Sequence, residues 1–296
     1  MRPSWTLLEL VKEASAYLAK KGVSSSRLDA ELLMGHVLGC SRVELYLRHD
    51  QPVTEKELGF FRELLRRRAR REPVAYILET KEFWSLRLKV NPSVLIPRPE
   101  TETLVEVALE VLKDAAENEP LPIHALELGT GCGAISIALA SEMGRSISLV
   151  ATDISQEALD LARFNARELG IQGCIRFLKG DLWEPVESEQ HSFRLVVANP
   201  PYIPTAMIQQ LEPEIRCYEP HVALDGGNDG MAVIRRILQR APEKLVPGGM
   251  LVVEVGDGQS HCLDEILCQD KRWKKWGWRQ DLTGKPRVLW AISAEV

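Results

Sequence analysis

The segment Asn199-Pro200-Pro201-Tyr202 directly follows the apolar run 195–198 and contains residue types suited to a chemical reaction. Two successive prolines have no backbone N–H groups and stiffen the chain, leaving nearby carbonyl oxygens without a local donor. The side-chain oxygen of Asn199 and the carbonyl oxygen of Pro200 could therefore accept both hydrogens of a planar NH2 group, while Tyr202 stacks on its face. Prolines can also simply end a strand, but the neighbouring turns favour a functional role.

Holding both hydrogens of an NH2 group would turn a poor nucleophile into a usable one. An amide nitrogen shares its lone pair with the adjacent carbonyl group and so reacts slowly with electrophiles. Two acceptors orient this nitrogen, disfavour the delocalisation and stabilise the positive charge that develops during attack. No general base is needed at first, because the proton can leave after transfer. We therefore predict Asn199, Pro200 and Tyr202 as catalytic residues and Pro201 as part of the substrate site.

A glycine-rich turn, Glu127-Leu128-Gly129-Thr130-Gly131-Cys132-Gly133, lies between a predicted strand and a predicted helix. Glycines let the backbone approach a ligand closely, and the helix N-terminus offers unpaired N–H groups. Asp153 follows Gly133 by 20 residues and ends the next predicted strand, where a carboxylate can accept both ribose hydroxyls. An adenosine-type cofactor is indicated. A tight turn with Asp153 capping a helix is the structural alternative, and Gly129, Gly131 and Ala134 also satisfy a dinucleotide fingerprint.

A third turn, Gly180-Asp181-Leu182-Trp183, follows another predicted strand. Asp181 could accept a hydrogen bond from the exocyclic amine of an adenine, with Leu182 or Trp183 packing on the face of the base. A capping Asp beside a core aromatic residue would produce the same pattern. The position beside the other two turns favours the functional interpretation.

These turns belong to an α/β pattern in which apolar strands alternate with helices. The predicted strands are 123–128, 148–153, 175–178, 195–198, 250–255 and 288–292. The predicted helices are 101–117, 134–143, 155–169, 230–244 and 259–268. Near-continuous apolar strands predict a mostly parallel, doubly wound, Rossmann-like sheet covered on both faces. Ligands of such sheets bind outside the carboxyl ends of the strands, where all these turns lie.

The remainder of the chain predicts two further parts. Residues 1–73 show helical periodicity and predict a small all-helical domain, with Ser24–Ser26 and the Thr54/Glu57 pair as helix-capping signals. Residues 74–98 predict a β-hairpin linker, because Tyr76–Val94 is rich in aromatic and branched residues and partly alternates. The α/β domain then occupies residues 99–296.

Charge and cysteine usage narrow the class of protein. The 296 residues carry a net charge of −5, yet residues 1–75 hold 14 Lys and Arg against 10 Asp and Glu, while the rest hold 23 against 32. Residues 76–296, which contain all the predicted functional turns, are thus net −9, which disfavours stable binding of nucleic acid. The six cysteines form no metal-ligand spacing, so we predict no metal site and a reducing, cytoplasmic location. No apolar run reaches membrane-spanning length, and we expect a monomer without membrane attachment.

The glycine-rich turn, Asp153, Asp181 and Asn-Pro-Pro-Tyr together resemble class I S-adenosylmethionine-dependent methyltransferases that modify planar NH2 groups. Four further segments resemble the HemK/PrmC family over nearly the whole chain. They are Pro73-Val74-Ala75-Tyr76-Ile77-Leu78, Ile96-Pro97-Arg98-Pro99-Glu100-Thr101-Glu102, Glu219-Pro220 with Ala223-Leu224-Asp225-Gly226-Gly227, and Asp281-Leu282-Thr283-Gly284-Lys285-Pro286-Arg287.

The resemblance implies transfer of a methyl group from S-adenosylmethionine, leaving S-adenosylhomocysteine, to N5 of the glutamine in the Gly-Gly-Gln motif of peptide chain release factors. This modification tunes translation termination. Asn199, Pro200 and Tyr202 match family residues that hold the glutamine amide, and Gly129–Gly133 with Asp153 match cofactor residues. The helical domain is implied to contact the release factor. The chain departs from the family where an aromatic often follows the Asp of the third turn, and at Glu79 and Ser85, where glycines are common.

Two groups of residues keep two interpretations each. Arg98, Glu100 and Thr101 are singled out by the resemblance and could line the substrate entrance, or an Arg–Glu pair could join the hairpin to the sheet. The basic run Arg66-Arg67-Arg68-Ala69-Arg70-Arg71 could be a solvated helix face or a docking surface for an acidic partner.

Two other functions compete with the leading one. The Asn-Pro-Pro-Tyr chemistry also serves adenine N6 methyltransferases, which flip a base and need a basic cleft. A non-catalytic or NAD-dependent nucleotide-binding module would explain the glycine pattern but leave Asn-Pro-Pro-Tyr without a role.

Overall fold

The computed structural model describes residues 5–189, 192–281 and 283–294. Its helices are α1 (Leu7–Lys20), α2 (Ser26–Leu38), α3 (Arg42–Leu47), α4 (Glu55–Ala69), α5 (Val74–Ile77), α6 (Thr101–Asn118), α7 (Ala134–Met143), α8 (Gln156–Glu168), α9 (Pro213–Tyr218), α10 (Ala232–Lys244) and α11 (Ser260–Gln269). Its strands are β1 (Thr80–Phe83), β2 (Leu86–Lys89), β3 (Ile123–Leu128), β4 (Ile147–Asp153), β5 (Ile175–Lys179), β6 (Phe193–Ala198), β7 (Leu245–Glu254), β8 (Trp273–Gln280) and β9 (Pro286–Ser293).

The chain divides into two units, of which the first comprises the residues up to Thr80 together with Glu212–Tyr218. The second comprises Lys81–Leu211 and the residues from Glu219 onward. The first unit therefore contains α1–α5 and a segment that is distant in sequence, α9. The domain boundaries after residues 73 and 98 stay predictions. No helix within the described ranges is both long and apolar enough to cross a bilayer.

The helices of the first unit begin at side-chain caps and pack around one apolar core. Reciprocal capping boxes start α1, α3 and α4, the last through the predicted Thr54/Glu57 pair. Such caps stabilise a helix by about 1 kcal/mol each. Ser25 precedes α2 without capping it, because its hydroxyl instead donates to Asp29 at 2.9 Å. Fully buried Leu18, Leu33 and Phe61 lie in the core of this unit.

Most of the basic run at the end of α4 is neutralised within the first unit. Arg68 is buried and its guanidinium contacts Asp29 at 2.6 Å and Glu214 at 2.8 Å. Arg71 contacts Glu214 at 2.5 Å, and Arg67 pairs with Glu72 at 2.5 Å. Only part of the run therefore presents charge to solvent, and neither a wholly solvated face nor a wholly basic docking surface describes it.

The second unit contains a seven-stranded sheet in the order β5-β4-β3-β6-β7-β9-β8. Strands β3 to β7 are parallel to one another, whereas β9 and β8 pair antiparallel at one end. The sheet, its connecting helices and the helical first unit confirm the predicted doubly wound α/β class with an all-helical N-terminal part. The edge strand β8 was not predicted, because Gly277 and a bulge between Trp273 and Lys275 interrupt its alternation. A Cβ atom at Gly277 would lie 2.5 Å from the indole of Trp290, so this strand needs glycine there.

The predicted hairpin is present but shorter than Tyr76–Val94. It consists of β1 and β2, while Tyr76 and Ile77 lie in the helical turn α5. The turn residues Trp84 and Ser85 have φ values of +52° and +56°, which match the two left-handed central residues of a tight hairpin turn. Ser85, one of the departures from the family pattern, therefore occupies a conformation that favours glycine.

Candidate active site

A cavity of about 620 Å³ opens at the carboxyl ends of β3, β4, β5 and β6, which is a size typical of small-molecule sites. The strand register explains why the turns predicted from sequence meet there. Leu128 pairs with Thr152 on one side and with Ala198 on the other, so the residues that follow these three strands are neighbours. Adjacent strands lie about 4.8 Å apart. The glycine-rich turn is consequently flanked by the turn containing Asp153 and by the turn beginning at Asn199.

The predicted residues that line the cavity belong to all four turns and the start of α6. They are Glu127, Gly129, Thr130, Gly131, Cys132, Asp153, Asp181, Leu182, Asn199, Pro200, Pro201 and Thr101. Five further predicted residues do not line it. They are Gly133, Trp183, Tyr202, Arg98 and Glu100.

Gly133 has a packing role that a larger residue could not fill. It precedes α7 with a φ of +86°, and a Cβ atom there would lie 2.9 Å from the Ile137 side chain and 3.1 Å from the Cβ of Ala162. The glycine thus permits close approach of α7 and α8 just behind the cavity.

Cys132, another predicted residue of this turn, is buried, and burial raises the pKa of its thiol to about 12. Such a thiol is inert at neutral pH.

Glu127 is a fully buried carboxyl group at the cavity. One oxygen, Oε2, accepts hydrogen bonds from Thr130 Oγ1 at 2.7 Å, from the backbone N–H of Ser136 at 3.1 Å and from the Ser136 hydroxyl. The other oxygen, Oε1, is buried and has no hydrogen-bond partner among the described residues. Burial raises the pKa of Glu127 to about 7 despite these donors. An unpaired buried carboxylate oxygen is costly, so Glu127 suits a cationic or hydrogen-bond-donating ligand group such as an ammonium.

Asp153 ends β4 and serves both of the interpretations derived from sequence. Its Oδ2 accepts from the Gly131 N–H at 2.8 Å, and its Oδ1 accepts from the Ser155 N–H at 2.9 Å at the start of α8. Burial raises the pKa of Asp153. The carboxylate thus fixes the glycine-rich turn and still lines the cavity, and each oxygen keeps a lone pair for a ligand hydroxyl.

The third turn separates two residues that sequence could not distinguish. Leu182 lines the cavity, whereas Trp183 is buried in the core and donates its indole N–H to the carbonyl oxygen of Arg236 at 3.4 Å. The structure therefore does not bring Trp183 to the cofactor region, contrary to its inclusion among the predicted cofactor residues. Asp181 forms an ion pair with Arg236 at 2.6 Å, and both residues line the cavity.

The Asn-Pro-Pro-Tyr turn is tied to α6 and β7 by a chain of four side chains. Asn199 donates from Nδ2 to Thr101 Oγ1 at 3.2 Å, and Thr101 donates to Glu254 Oε2 at 2.7 Å. Tyr202 donates its hydroxyl to Glu254 Oε1 at 3.2 Å. Glu254 is only 1% exposed, and burial raises its pKa. Burial and the nearby Glu254 carboxyl raise the pKa of Tyr202, so its hydroxyl stays protonated and can donate.

The backbone of the same turn is held by neighbouring loops. Gln259 accepts from the Gly256 N–H at 2.8 Å and donates to the carbonyl oxygens of Tyr202 at 3.0 Å and Gly230 at 3.1 Å. The Ile203 N–H donates to the Leu224 carbonyl oxygen at 3.0 Å. These bonds fix the turn on the side away from β3.

Of the three residues with open interpretations, Arg98 and Glu100 do not share the contacts of Thr101. Arg98 pairs with the buried carboxyl of Glu219, which also accepts from the Ile96 N–H at 3.2 Å. Burial raises the pKa of Glu219, and Arg98 opposes this effect. Glu100 is exposed and precedes α6 without a capping hydrogen bond. Arg98 thus joins two loops of the second unit, and Thr101 is the member of the three that reaches the cavity.

Two functional candidates, Glu254 and Glu219, escaped the sequence analysis. Glu254 lies one residue before the end of the predicted strand 250–255, near the edge where ligands bind, which was a usable signal. Glu219 belongs to one of the segments that resemble the family, but its partners Ile96 and Arg98 are more than 100 residues away in the chain. Groups of His, Cys, Asp and Glu able to hold a metal ion do not occur in the part of the chain that the structure describes.

The seven-stranded sheet with its reversed strand β9 and the cavity at four strand ends are typical of a class I methyltransferase. A family model described as "Methyltransferase domain" matches residues 122–290, and one described as "PrmC N-terminal domain" matches residues 9–78. The chain resembles the crystal structure of the hMettl16 catalytic domain in complex with a MAT2A 3'UTR hairpin, with a TM-score of 0.54, 14% identity, and coverage of 78% of this chain and 82% of that one. This likeness concerns the fold.

Sequence relatives define the family. The chain is 44% identical to the release factor glutamine methyltransferase of Geobacter sulfurreducens over 86% of each chain. It is 38% identical to that of Rhodopirellula baltica over 96% of this chain and 95% of the relative, and 37% identical to that of Moorella thermoacetica over 98% and 99%. The chain belongs to the release factor glutamine methyltransferase family.

Proposed function

We propose that this enzyme transfers the methyl group of S-adenosylmethionine to the side-chain amide nitrogen of the glutamine in the Gly-Gly-Gln motif of peptide chain release factors. The observation that carries the proposal is the position of Asn199 on the wall of the cavity that also contains the unpaired oxygen of Glu127. One site thus offers acceptors for an NH2 group and a seat for a charged cofactor. The relatives named above support the choice of a release factor as substrate.

The residues of the cavity fit S-adenosylmethionine chemically. We assign the unpaired Oε1 of Glu127 to the ammonium of its methionine part, because a buried carboxylate oxygen needs a donor. Asp153 is assigned to the ribose hydroxyls, and Leu182 to the face of the adenine. When bound, S-adenosylmethionine supplies an electrophilic methyl group and leaves as S-adenosylhomocysteine.

The substrate amide is assigned to the Asn-Pro-Pro-Tyr turn. Asn199 Oδ1 and the carbonyl oxygen of Pro200 accept the two amide hydrogens, which aims the nitrogen lone pair at the cofactor side of the cavity. As the nitrogen forms its bond to the methyl carbon, it gains positive charge, and these two oxygens stabilise that charge. The nitrogen then loses one proton to solvent. Pro201 stiffens the turn, and Tyr202, which does not line the cavity, supports the turn through its hydrogen bond to Glu254.

The helical first unit is proposed to contact the release factor outside the glutamine, because residues 9–78 match the PrmC N-terminal domain. Arg66 and Arg70 are exposed members of the basic run and are candidates for that contact. We place the reaction in the cytoplasm, where release factors act, and propose a monomeric enzyme without stable binding to nucleic acid or membranes.

The proposal is tested by incubating the full chain with methyl-labelled S-adenosylmethionine and a purified release factor. Label should appear in the release factor and be absent when its Gly-Gly-Gln glutamine is replaced by alanine. N199A should reduce transfer by about 10²–10³-fold, the usual cost of removing one preorganised transition-state contact, while the dissociation constant of the cofactor stays within about threefold.

Duplex DNA and transfer RNA are included as separate substrates in the same assay. Methyl transfer to either nucleic acid at a rate comparable with that of the release factor would indicate adenine, and not glutamine, as the target. Tight NAD binding without binding of the methyl donor would instead indicate a nucleotide-binding module. Turnover retained in N199A would show that Asn199 is structural.

A further inference from the structure

Glu254 accepts hydrogen bonds from two hydroxyl groups, that of Thr101 on the cavity wall and that of Tyr202 in the Asn-Pro-Pro-Tyr turn. Its two oxygens accept separately, Oε1 from Tyr202 and Oε2 from Thr101. It lies at the end of β7 and is 1% exposed, so solvent does not compete for these bonds. The proposed mechanism assigns it no contact with cofactor or substrate.

Each hydrogen bond around Glu254 has a defined donor and a defined acceptor. In its ionised form Glu254 has only acceptor sites, and its two oxygens then accept one hydrogen each from the hydroxyls of Thr101 and Tyr202. Once the Thr101 hydrogen faces Glu254, its oxygen can only accept along the remaining contact, and it therefore takes a hydrogen from Asn199 Nδ2 at 3.2 Å. The amide of Asn199 is planar, so fixing Nδ2 against Thr101 turns Oδ1 away from Thr101.

We infer that Glu254 is a positioning residue that sets the amide orientation of Asn199 through Thr101 and holds the ring of Tyr202 at the same time. The reversed amide would present an NH2 group to the substrate NH2 group, and two donors cannot bond. One buried carboxylate thus gives the Asn-Pro-Pro-Tyr turn its acceptor character. The role of this orientation in catalysis rests on the proposed function.

The inference separates hydrogen-bond direction from packing at Thr101. T101V keeps the shape of the side chain but removes the hydroxyl, whereas T101S keeps the hydroxyl but loses a methyl group from a site that is 3% exposed. If direction matters, kcat for release factor methylation falls about 10–100-fold in T101V, as for a misplaced reacting group, and T101S exceeds T101V at least tenfold. If only packing matters, T101S is the worse variant.

E254Q tests the carboxylate itself. The glutamine has nearly the same volume but introduces a donor, so one of the two hydroxyls must reverse. We expect a fall in kcat of about 10-fold or more with an unchanged dissociation constant for the cofactor and an unchanged melting temperature. A kcat equal to that of the wild type would overturn the inference.

A substrate-free measurement separates this inference from the proposed function. The chain has five asparagines, so selective 15N-asparagine labelling gives a simple side-chain amide spectrum in which N199A identifies Asn199. Amide hydrogens of Asn199 should exchange with water faster in T101V and E254Q than in the wild type. Asn165 is the internal control, because its Nδ2 donates to the backbone carbonyl oxygens of Lys89 at 3.0 Å and Cys132 at 2.9 Å.

The outcomes are distinct. A wild-type enzyme that methylates no release factor contradicts the proposed function, and the exchange data still decide whether Glu254 orients Asn199. Exchange at Asn199 that is identical in the wild type, T101V and E254Q overturns the inference even when methylation is observed.

Discussion

Leu182 and Trp183 are consecutive in the chain, yet the first faces the cavity and the second is in the core. Leu182 has a φ of +51°, which turns the backbone so that its side chain lines the cavity. Trp183 is 3% exposed and packs in the apolar core of the second unit. The two side chains consequently contribute to different properties of the enzyme.

Substitution should separate these properties. L182A is expected to weaken cofactor binding about fivefold, since a partly buried Leu side chain contributes about 1 kcal/mol of apolar contact, and to leave the melting temperature nearly unchanged. W183A should lower the free energy of unfolding by about 3–5 kcal/mol. Calorimetric titration and thermal melting of both variants provide the test. A third variant, W183F, keeps an aromatic side chain in the core. If W183F binds the cofactor more weakly than L182A does, the adenine contact belongs to Trp183.

The raised pKa of Glu127 predicts proton release when the cofactor binds. Without a ligand, burial holds the pKa at about 7, so much of the group is protonated at pH 6.5. A bound ammonium favours the ionised form, and the cofactor's own amine, with an ordinary pKa of about 7.7–8.0, is already charged at that pH. Binding should thus release up to about one proton and should tighten as pH rises from about 6 to 7.5.

Calorimetric titration at pH 6.5 in buffers of different ionisation enthalpy measures this release. E127Q should lose most of it and bind the cofactor more weakly, whereas D153N serves as the comparison for loss of a different carboxylate in the same cavity. Equal proton release by E127Q and the wild type would contradict the assignment of Glu127.

The basic run at the end of α4 predicts opposite effects for two neighbouring arginines. R68A leaves the buried Asp29 without its ion-pair partner, which typically costs about 3–5 kcal/mol, and leaves Glu214 paired with Arg71 alone. R66A removes an exposed charge and should change stability by less than about 0.5 kcal/mol. Hydrogen-exchange mass spectrometry of α2 and α4 measures both effects in the full chain. Normal protection in R68A would mean that the ion pairs contribute little to the helical unit.

The hairpin predicts a stabilising substitution. Ser85 has a φ of +56°, a conformation that costs non-glycine residues roughly 1 kcal/mol. S85G should remove this strain and, after the larger entropy of glycine in the unfolded chain, raise the melting temperature by about 1–2 °C. K81G, in the adjoining strand, is the control and should lower the melting temperature. A lower melting temperature for S85G would show that Ser85 forms contacts that outweigh the strain.

Sequence predicted what depends on local pattern. The parallel strands could be read from apolar runs, and the meeting of the turns followed from the rule that carboxyl ends of parallel strands share one edge. β8 was missed because Gly277 and a bulge break its alternation. The separation of Leu182 from Trp183 depends on one backbone angle, which composition does not encode.

The partners of the amide-binding turn lay beyond local pattern as well. Thr101 and Glu254 are 153 residues apart in the chain, and only the folded sheet brings them within 2.7 Å. The partners of the basic run had the same origin, since Glu214 reaches Arg68 across 146 residues. Motifs therefore located the chemistry, whereas the groups that orient it required the three-dimensional structure.

Tandem mass spectrometry of a release factor treated with the enzyme and S-adenosylmethionine shows which atom receives the methyl group. We expect a single added methyl group on the side-chain amide of the Gly-Gly-Gln glutamine, present with the wild-type enzyme and strongly reduced with N199A. A methyl group on another residue, or a glutamine that is still unmodified when the reaction has ended, would refute the proposed function.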